Sequence, residues 1–240
     1  VRTGECQWSP PTATSTERRA ALDIGSGATK LLVADVDAGC GRCVQVLLAR
    51  ELPVPYGLDL KRAADNCLSE AVQVHGLEVL SKLLCEAEPL RPQCVAAVAT
   101  EAFRQARNGG AFLAHVQQEL GLEVRVVDQQ LEARLGFCTA CAVASAPVSI
   151  AWDCGGGSYQ LVAQGQAGKL CVHAGRLGDA VAVAELAEMQ GRCAGESPNP
   201  VSQEEAEALV CRLQALMVEV PEWLRGAEGV VAIGGRNSMF

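Results

Sequence analysis

The chain has 240 residues, of which 49% are hydrophobic and only 4% aromatic, and a formal net charge of −8. That apolar fraction fills the core of one large or two small domains, and the weight of alanine, valine and leucine suits helices packed on a buried sheet. The charge argues against general nucleic-acid binding, since Arg18-Arg19 and Lys61-Arg62 are isolated pairs and not a basic patch. No run is long enough to span a bilayer, and residues 1–19 show no signal peptide, so the expectation is a cytoplasmic protein with no membrane contact. The 12 cysteines are scattered. Cys138-Thr139-Ala140-Cys141 has no partner pair for zinc, so the cysteines read as small buried hydrophobes in a reducing compartment.

In chain order, residues 1–19 read as a flexible leader, 20–145 as a first lobe and 146–240 as a second, incomplete lobe. Strands are predicted at Ala20–Ile24, Leu31–Asp37 and Cys43–Leu52, a meander that Pro53 and Pro55 end. Leu68 to Glu88 is predicted helical, with Ser69 able to cap its start and Pro89 and Pro92 stopping it. Cys94–Ala99 is an apolar strand expected to be buried on both faces. A helix over Glu101–Asn108 is broken by Gly109-Gly110, another runs from Phe112 to Leu120, and a strand covers Leu122–Val127. Asp128 caps a helix from Gln129 to Val143, whose buried stripe is predicted as Leu131, Leu135, Cys138 and Ala142. Strands at 148–153, 158–164 and 168–173 follow, then a helix near 179–189. A capping box at Ser202-Gln203-Glu204-Glu205 opens a helix to Val220, and Gly229–Ile233 reads as a buried strand.

The chemistry concentrates in two glycine turns. Ala21-Leu22-Asp23-Ile24-Gly25-Ser26-Gly27 and Ala151-Trp152-Asp153-Cys154-Gly155-Gly156-Gly157 share one pattern: apolar strand, aspartate, one residue, glycine turn, strand. Glycine lets the backbone turn sharply and brings N–H groups close to an anion. An aspartate beside each turn supplies oxygen for a cation. Two such copies suggest related lobes facing each other across a cleft.

With these stretches, Ala99-Thr100-Glu101-Ala102-Phe103-Arg104-Gln105-Ala106-Arg107-Asn108, Glu132-Ala133-Arg134-Leu135-Gly136 and Asp153-Cys154-Gly155-Gly156-Gly157-Ser158 complete an ordered set. The set resembles the exopolyphosphatase/guanosine pentaphosphate phosphatase family of the actin/sugar kinase/Hsp70 superfamily, from about residue 20 onward. The resemblance implies an α/β fold of two actin-like, ribonuclease H-like lobes with mixed sheets and a cleft between them. It implies hydrolysis of phosphoanhydride bonds in polyphosphate or guanosine pentaphosphate with Mg2+, and leaves a homodimer as an open option. Carried over by position, Glu132 matches the catalytic glutamate that activates water, and Asp23 and Asp153 match the acids around the metal. Gly25, Ser26, Gly27, Lys30, Arg104, Gly155, Gly156, Gly157, Ser158, Gly234 and Gly235 match the phosphate-contacting positions.

Two departures stand out. The first turn reads Gly25-Ser26-Gly27-Ala28-Thr29 where the family usually has Gly-Ser-Asn-Ser, and Gln160 stands where the family usually has glutamate. By strand alternation Gln160 should share the face of Ser158 and look into the cleft. The alternative to an enzyme is therefore a degenerate module that binds polyphosphate or nucleotide with little turnover. Kinase chemistry of the wider superfamily fits less well, because no sugar-binding signature is present.

Overall fold

The computed structural model describes residues 15–144, 147–165, 169–193, 196–217, 219–225 and 228–234. In chain order, the first half holds β1 (Thr16–Ile24), β2 (Ala28–Asp37), β3 (Cys43–Pro53), α1 (Tyr56–Arg62), α2 (Glu70–Ala87), β4 (Cys94–Ala99), α3 (Glu101–Gln105), α4 (Gly109–Leu120), β5 (Val124–Val126) and α5 (Gln129–Val143). The second half holds β6 (Ile150–Cys154), β7 (Tyr159–Gln164), β8 (Leu170–Gly175), α6 (Asp179–Met189), α7 (Gln203–Leu216) and β9 (Val230–Gly234).

The strands form two mixed sheets, ordered β3-β2-β1-β4-β5 and β8-β7-β6-β9. β1 pairs antiparallel with β2 and parallel with β4, and β6 pairs antiparallel with β7 and parallel with β9. The second sheet thus repeats the first through its fourth strand. The registers coincide as well: Asp23 lies opposite Lys30 and Val98, and Asp153 lies opposite Gln160 and Ile233.

Two cores hold the sheets. Leu22, Ile24, Leu31 and Val33 of the first sheet pack with Leu80, Leu83, Phe112 and Val116. Ala133, Phe137 and Ala140 of α5 pack with Ala151 and Val162 of the second sheet. So α5 follows the last strand of the first sheet yet covers the second, and it carries Glu132 with it. Its buried face, Ala133, Gly136, Phe137 and Ala140, is rotated from the predicted stripe, and Leu135, Cys138 and Ala142 are exposed. Small side chains let the helix backbone lie close to the sheet, which outweighs the greater hydrophobicity of leucine.

Other expectations also shift. β1 begins at Thr16, so residues 16–19 are strand and not leader; residues 1–14 lie outside the described residues. Charge hid this strand end: Arg18 pairs with Asp35 at 2.8 Å, and its backbone N–H donates to Gln93. Pro55 is the N-cap of α1, a helix not expected from sequence. α3 ends at Gln105, and Gly109-Gly110 form the first turn of α4 and do not break a helix. β4 is exposed at Cys94, Val95 and Ala96, and β9 at Val230, Ala232 and Gly234, so neither is buried on both faces. Of the described cysteines, Cys154 is buried, Cys67 and Cys171 are half-buried and the other eight are exposed, so they are not core residues. The Ser69 and Asp128 caps and the Ser202/Glu205 capping box form as expected.

An aromatic cluster sets α3 against the first sheet. Tyr56 packs edge-on to Phe103 with centroids 4.9 Å apart, and both contact Phe112. Gly76 in α2 makes room for it, since a Cβ there would overlap the Tyr56 hydroxyl. Alanine is normally the better helix former by about 1 kcal/mol. Gly76→Ala should nevertheless lower stability by about 2 kcal/mol through overpacking, read from the denaturant midpoint. Adding Tyr56→Phe should recover part of that loss, and a stabilised single variant would refute the steric account.

Candidate active site

Two hairpin turns meet at the site. In the first, Gly25 N–H donates to Ala28 O at 2.9 Å; in the second, Gly155 N–H donates to Ser158 O at 3.0 Å. A helix start docks on each: Gly57 N–H of α1 donates to Ser26 O at 2.7 Å, and Ala180 N–H of α6 donates to Gly156 O at 3.1 Å. The turns touch, because a Cβ on Gly157 would lie 3.2 Å from Ser26 Oγ and one on Gly156 would lie 3.9 Å from Gly27 N. The glycines of these turns are not among the residues with positive φ. Their use here is close approach between the two halves and not a left-handed backbone.

The acids gather beside the turns. Asp23 and Asp153 end matching positions of β1 and β6. Asp23 Oδ1 is buried without a hydrogen-bond partner. The Asp153 carboxyl is pushed up to about 6, chiefly by burial, with Lys30 opposing the shift and Asp23 adding to it. Burial also raises Asp23, again against Lys30. Lys30 acts electrostatically on Asp179 too, at the first turn of α6. Gly136 of α5 lies over this cluster: a Cβ there would sit 3.3 Å from Asp153 Oδ2. Glu132 lies one helical turn earlier, and its charge interacts with both Asp153 and Asp23. Burial raises the Glu132 carboxyl, while Arg104 lowers it.

Arg104 holds Glu132 in place. Its Nη1 donates to Glu132 Oε2 at 2.7 Å and to Val127 O at 2.8 Å. Its Nε and Nη2 both donate to Glu101 Oε2. Sequence reading placed Arg104 on phosphate; all but one of its N–H donors are already committed within the protein. Glu101 went unassigned although it lies only three residues before Arg104, a spacing that brings side chains together on a helix. Asp179 and Arg176 were missed too, because neither belongs to a glycine turn. Ser158 is buried and accepts the Gln160 amide at 3.3 Å. Gln160 is itself buried beside Asp153 and does not look openly into the cleft. Gly234 ends β9 opposite Cys154, and Gly235 lies outside the described residues.

An oxygen pair with a buried, unpartnered Asp23 Oδ1 fits magnesium, which keeps several waters and needs only one or two carboxylates. Among the described residues no group of three or more His, Cys, Asp or Glu side chains is arranged to hold a metal ion.

Repeated mixed sheets and paired Asp-x-Gly turns, with Glu132 set against the two aspartates, define the actin-like fold class. The Ppx/GppA phosphatase family model matches residues 32–170, and the chain belongs to that family. It is similar to the Aquifex aeolicus PPX-GPPA enzyme, with 26% identity and a TM-score of 0.65 over 92% of this chain and 69% of that one. A Cytophaga hutchinsonii exopolyphosphatase shares the fold at 20% identity and a TM-score of 0.69, over 91% of this chain and 66% of that one. An exopolyphosphatase-like protein shares it at 19% identity and a TM-score of 0.71, over 92% and 66%. The chain thus spans about two thirds of the length of these relatives. No helix among the described residues is long and apolar enough to cross a membrane.

Proposed function

We propose that the site hydrolyses phosphoanhydride bonds in inorganic polyphosphate or guanosine pentaphosphate by attack of an activated water. The observation that carries this is Glu132, held by Arg104 and set against Asp23 and Asp153 where the two turns meet. Phosphoryl transfer asks a protein for positioning and charge neutralisation more than for covalent chemistry. The turns offer backbone N–H groups to phosphate oxygens, Lys30 adds a point charge, and Glu132 takes the proton of the attacking water. Family membership and the fold support the reading.

Asp23 and Asp153 are the residues that would hold magnesium. When bound, the ion would offset phosphate charge and stabilise the leaving oxygen. Charge balance agrees. Asp23, Asp153, Asp179, Glu51, Glu101 and Glu132 outnumber Lys30, Arg104 and Arg176, an excess of negative charge that a divalent cation would reduce. The exposed free cysteines suit a reducing compartment such as the cytoplasm. Phosphate release from long-chain polyphosphate and from guanosine pentaphosphate, each with and without magnesium, tests the proposal. No release from either substrate would overturn it.

Gln160 favours a second reading, a binder with little turnover. It lies directly opposite Asp153 and offers no charge. Under that reading, Gln160→Glu should raise magnesium affinity about tenfold and raise phosphate release with it. The same change should lower stability without magnesium, because it buries a second carboxylate beside Asp153. If the unmodified protein turns over briskly and the substitution alters neither quantity, the second reading is wrong.

A further inference from the structure

Beyond its charge, Arg176 has no part in the chemistry assigned so far. It lies between β8 and α6, on the second half of the molecule. Its Nε sits 3.3 Å from Glu101 Oε1, on α3 of the first half. The side chain therefore reaches across the line where Gly157 meets Ser26 and Glu101. Yet it remains 77% exposed. Glu101 does not depend on it. Oε2 of Glu101 already accepts from Nε and Nη2 of Arg104, and Oε1 accepts from the Gln105 amide. An ion pair with so exposed a partner adds little to stability. The contact orients Arg176 without consuming it.

The contrast with Arg104 is decisive. Arg104 is largely buried and spends Nε, Nη1 and Nη2 on Glu101, Glu132 and Val127. Of the cations at the meeting of the turns, Arg176 is the exposed guanidinium, whereas Arg104 keeps only one uncommitted N–H. Lys30 is tied electrostatically to Asp23 and Asp153 at the reacting end. Arg176 is separated from Glu132 by the Glu101–Arg104 pair.

We propose that Arg176 is a substrate-binding residue that takes non-bridging oxygens of a phosphate beyond the reacting one, with Glu101 setting the direction of its fork. A guanidinium presents two parallel N–H groups that match two phosphate oxygens, so one edge can stay toward Glu101 while the other meets substrate. Arg176 would then select for chain length. A substrate with phosphates to spare gains the contact, and pyrophosphate does not. The inference rests on the phosphoanhydride reading above.

The test compares Arg176→Ala, Arg176→Lys and, as a surface control, Arg50→Ala, with long-chain polyphosphate and pyrophosphate as probes in magnesium. Arg176→Ala should raise KM for long-chain polyphosphate about tenfold, with kcat within a few-fold and KM for pyrophosphate little changed. Its affinity should also depend less on salt, since one charge contact is gone. Lysine should restore part of the affinity as a point charge without the fork. Thermal unfolding should be unchanged in all three variants, because the altered side chains are exposed. An Arg176→Ala protein with unaltered KM and salt dependence would overturn this inference alone. A loss of equal size with pyrophosphate would also overturn it. An unmodified protein that neither binds nor cleaves polyphosphate would remove the wider reading, and this inference with it.

Discussion

Glu132→Gln should lower kcat for phosphate release by about 10²–10⁴-fold while leaving substrate affinity within a few-fold. The side chain keeps its shape, and its carbonyl oxygen can still accept from Arg104 Nη1, which now holds the carboxylate at 2.7 Å. What is lost is the ability to take a proton. The environment makes Glu132 suited to that task. Burial and the neighbouring Asp153 and Asp23 raise its carboxyl, against the pull of Arg104, and so move it toward neutral pH. A base is most effective when its pKa lies near the working pH. Arg104 remains bound to Glu101 in the variant, so the helix packing around the site should persist. Steady-state kinetics and equilibrium binding on the same preparation separate the two effects. Turnover within about threefold of the unmodified protein would remove Glu132 from the chemistry.

The parts of this fold that repeat were readable because a repeat is visible without knowing what it does. Asp23 and Asp153 share a pattern in sequence and share a register in the sheets. Helix caps were readable for a different reason: Ser69, Asp128 and Ser202 each accept from the backbone N–H of Val72, Leu131 and Glu205 in the same first turn, so the signal is local. Burial was not local, and there the sequence misled. The face of α5 was predicted from leucine and cysteine spacing, but which side lies on a sheet depends on how closely the helix can approach, and Gly136 and Ala133 decide that. Arg104 misled in the same way. An arginine near a glycine turn suggests phosphate, yet its partners Glu132 and Val127 come from separate segments, and only the fold shows that with Glu101 they take up most of its donors. Arg176 left no signal at all, because its partner lies 75 residues away in sequence, on the other half.

Gly178→Ala should cost about 3 kcal/mol of stability and about 10²-fold in activity, a larger disturbance than any change at the turn glycines themselves. Gly178 is the N-cap of α6, with φ −125° and ψ −179°, a conformation open to any residue. Its glycine is therefore required for space and not for backbone freedom. A Cβ at this position would overlap Gly155 O and lie 2.5 Å from Gly156 C and O. Those atoms are backbone, so no rotamer change can relieve the clash. Either α6 backs away or the second turn moves. The first course breaks the bonds from Asp179 N–H to Gly155 O and from Ala180 N–H to Gly156 O, each 3.1 Å. The second shifts Gly156 and Gly157, which touch the first turn at Gly27 and Ser26, and carries Asp153 with them. A displacement of about 1 Å at reacting groups is enough for a 10²-fold loss. Gly27→Ala is the matched comparison: a Cβ on Gly27 meets nothing within 4 Å, so that variant should fold as stably as the parent. Denaturant unfolding and phosphate-release rates of the two variants provide the check. If Gly178→Ala matches Gly27→Ala in stability and the unmodified protein in phosphate release, the docking of α6 on the second turn does not set the geometry of the site.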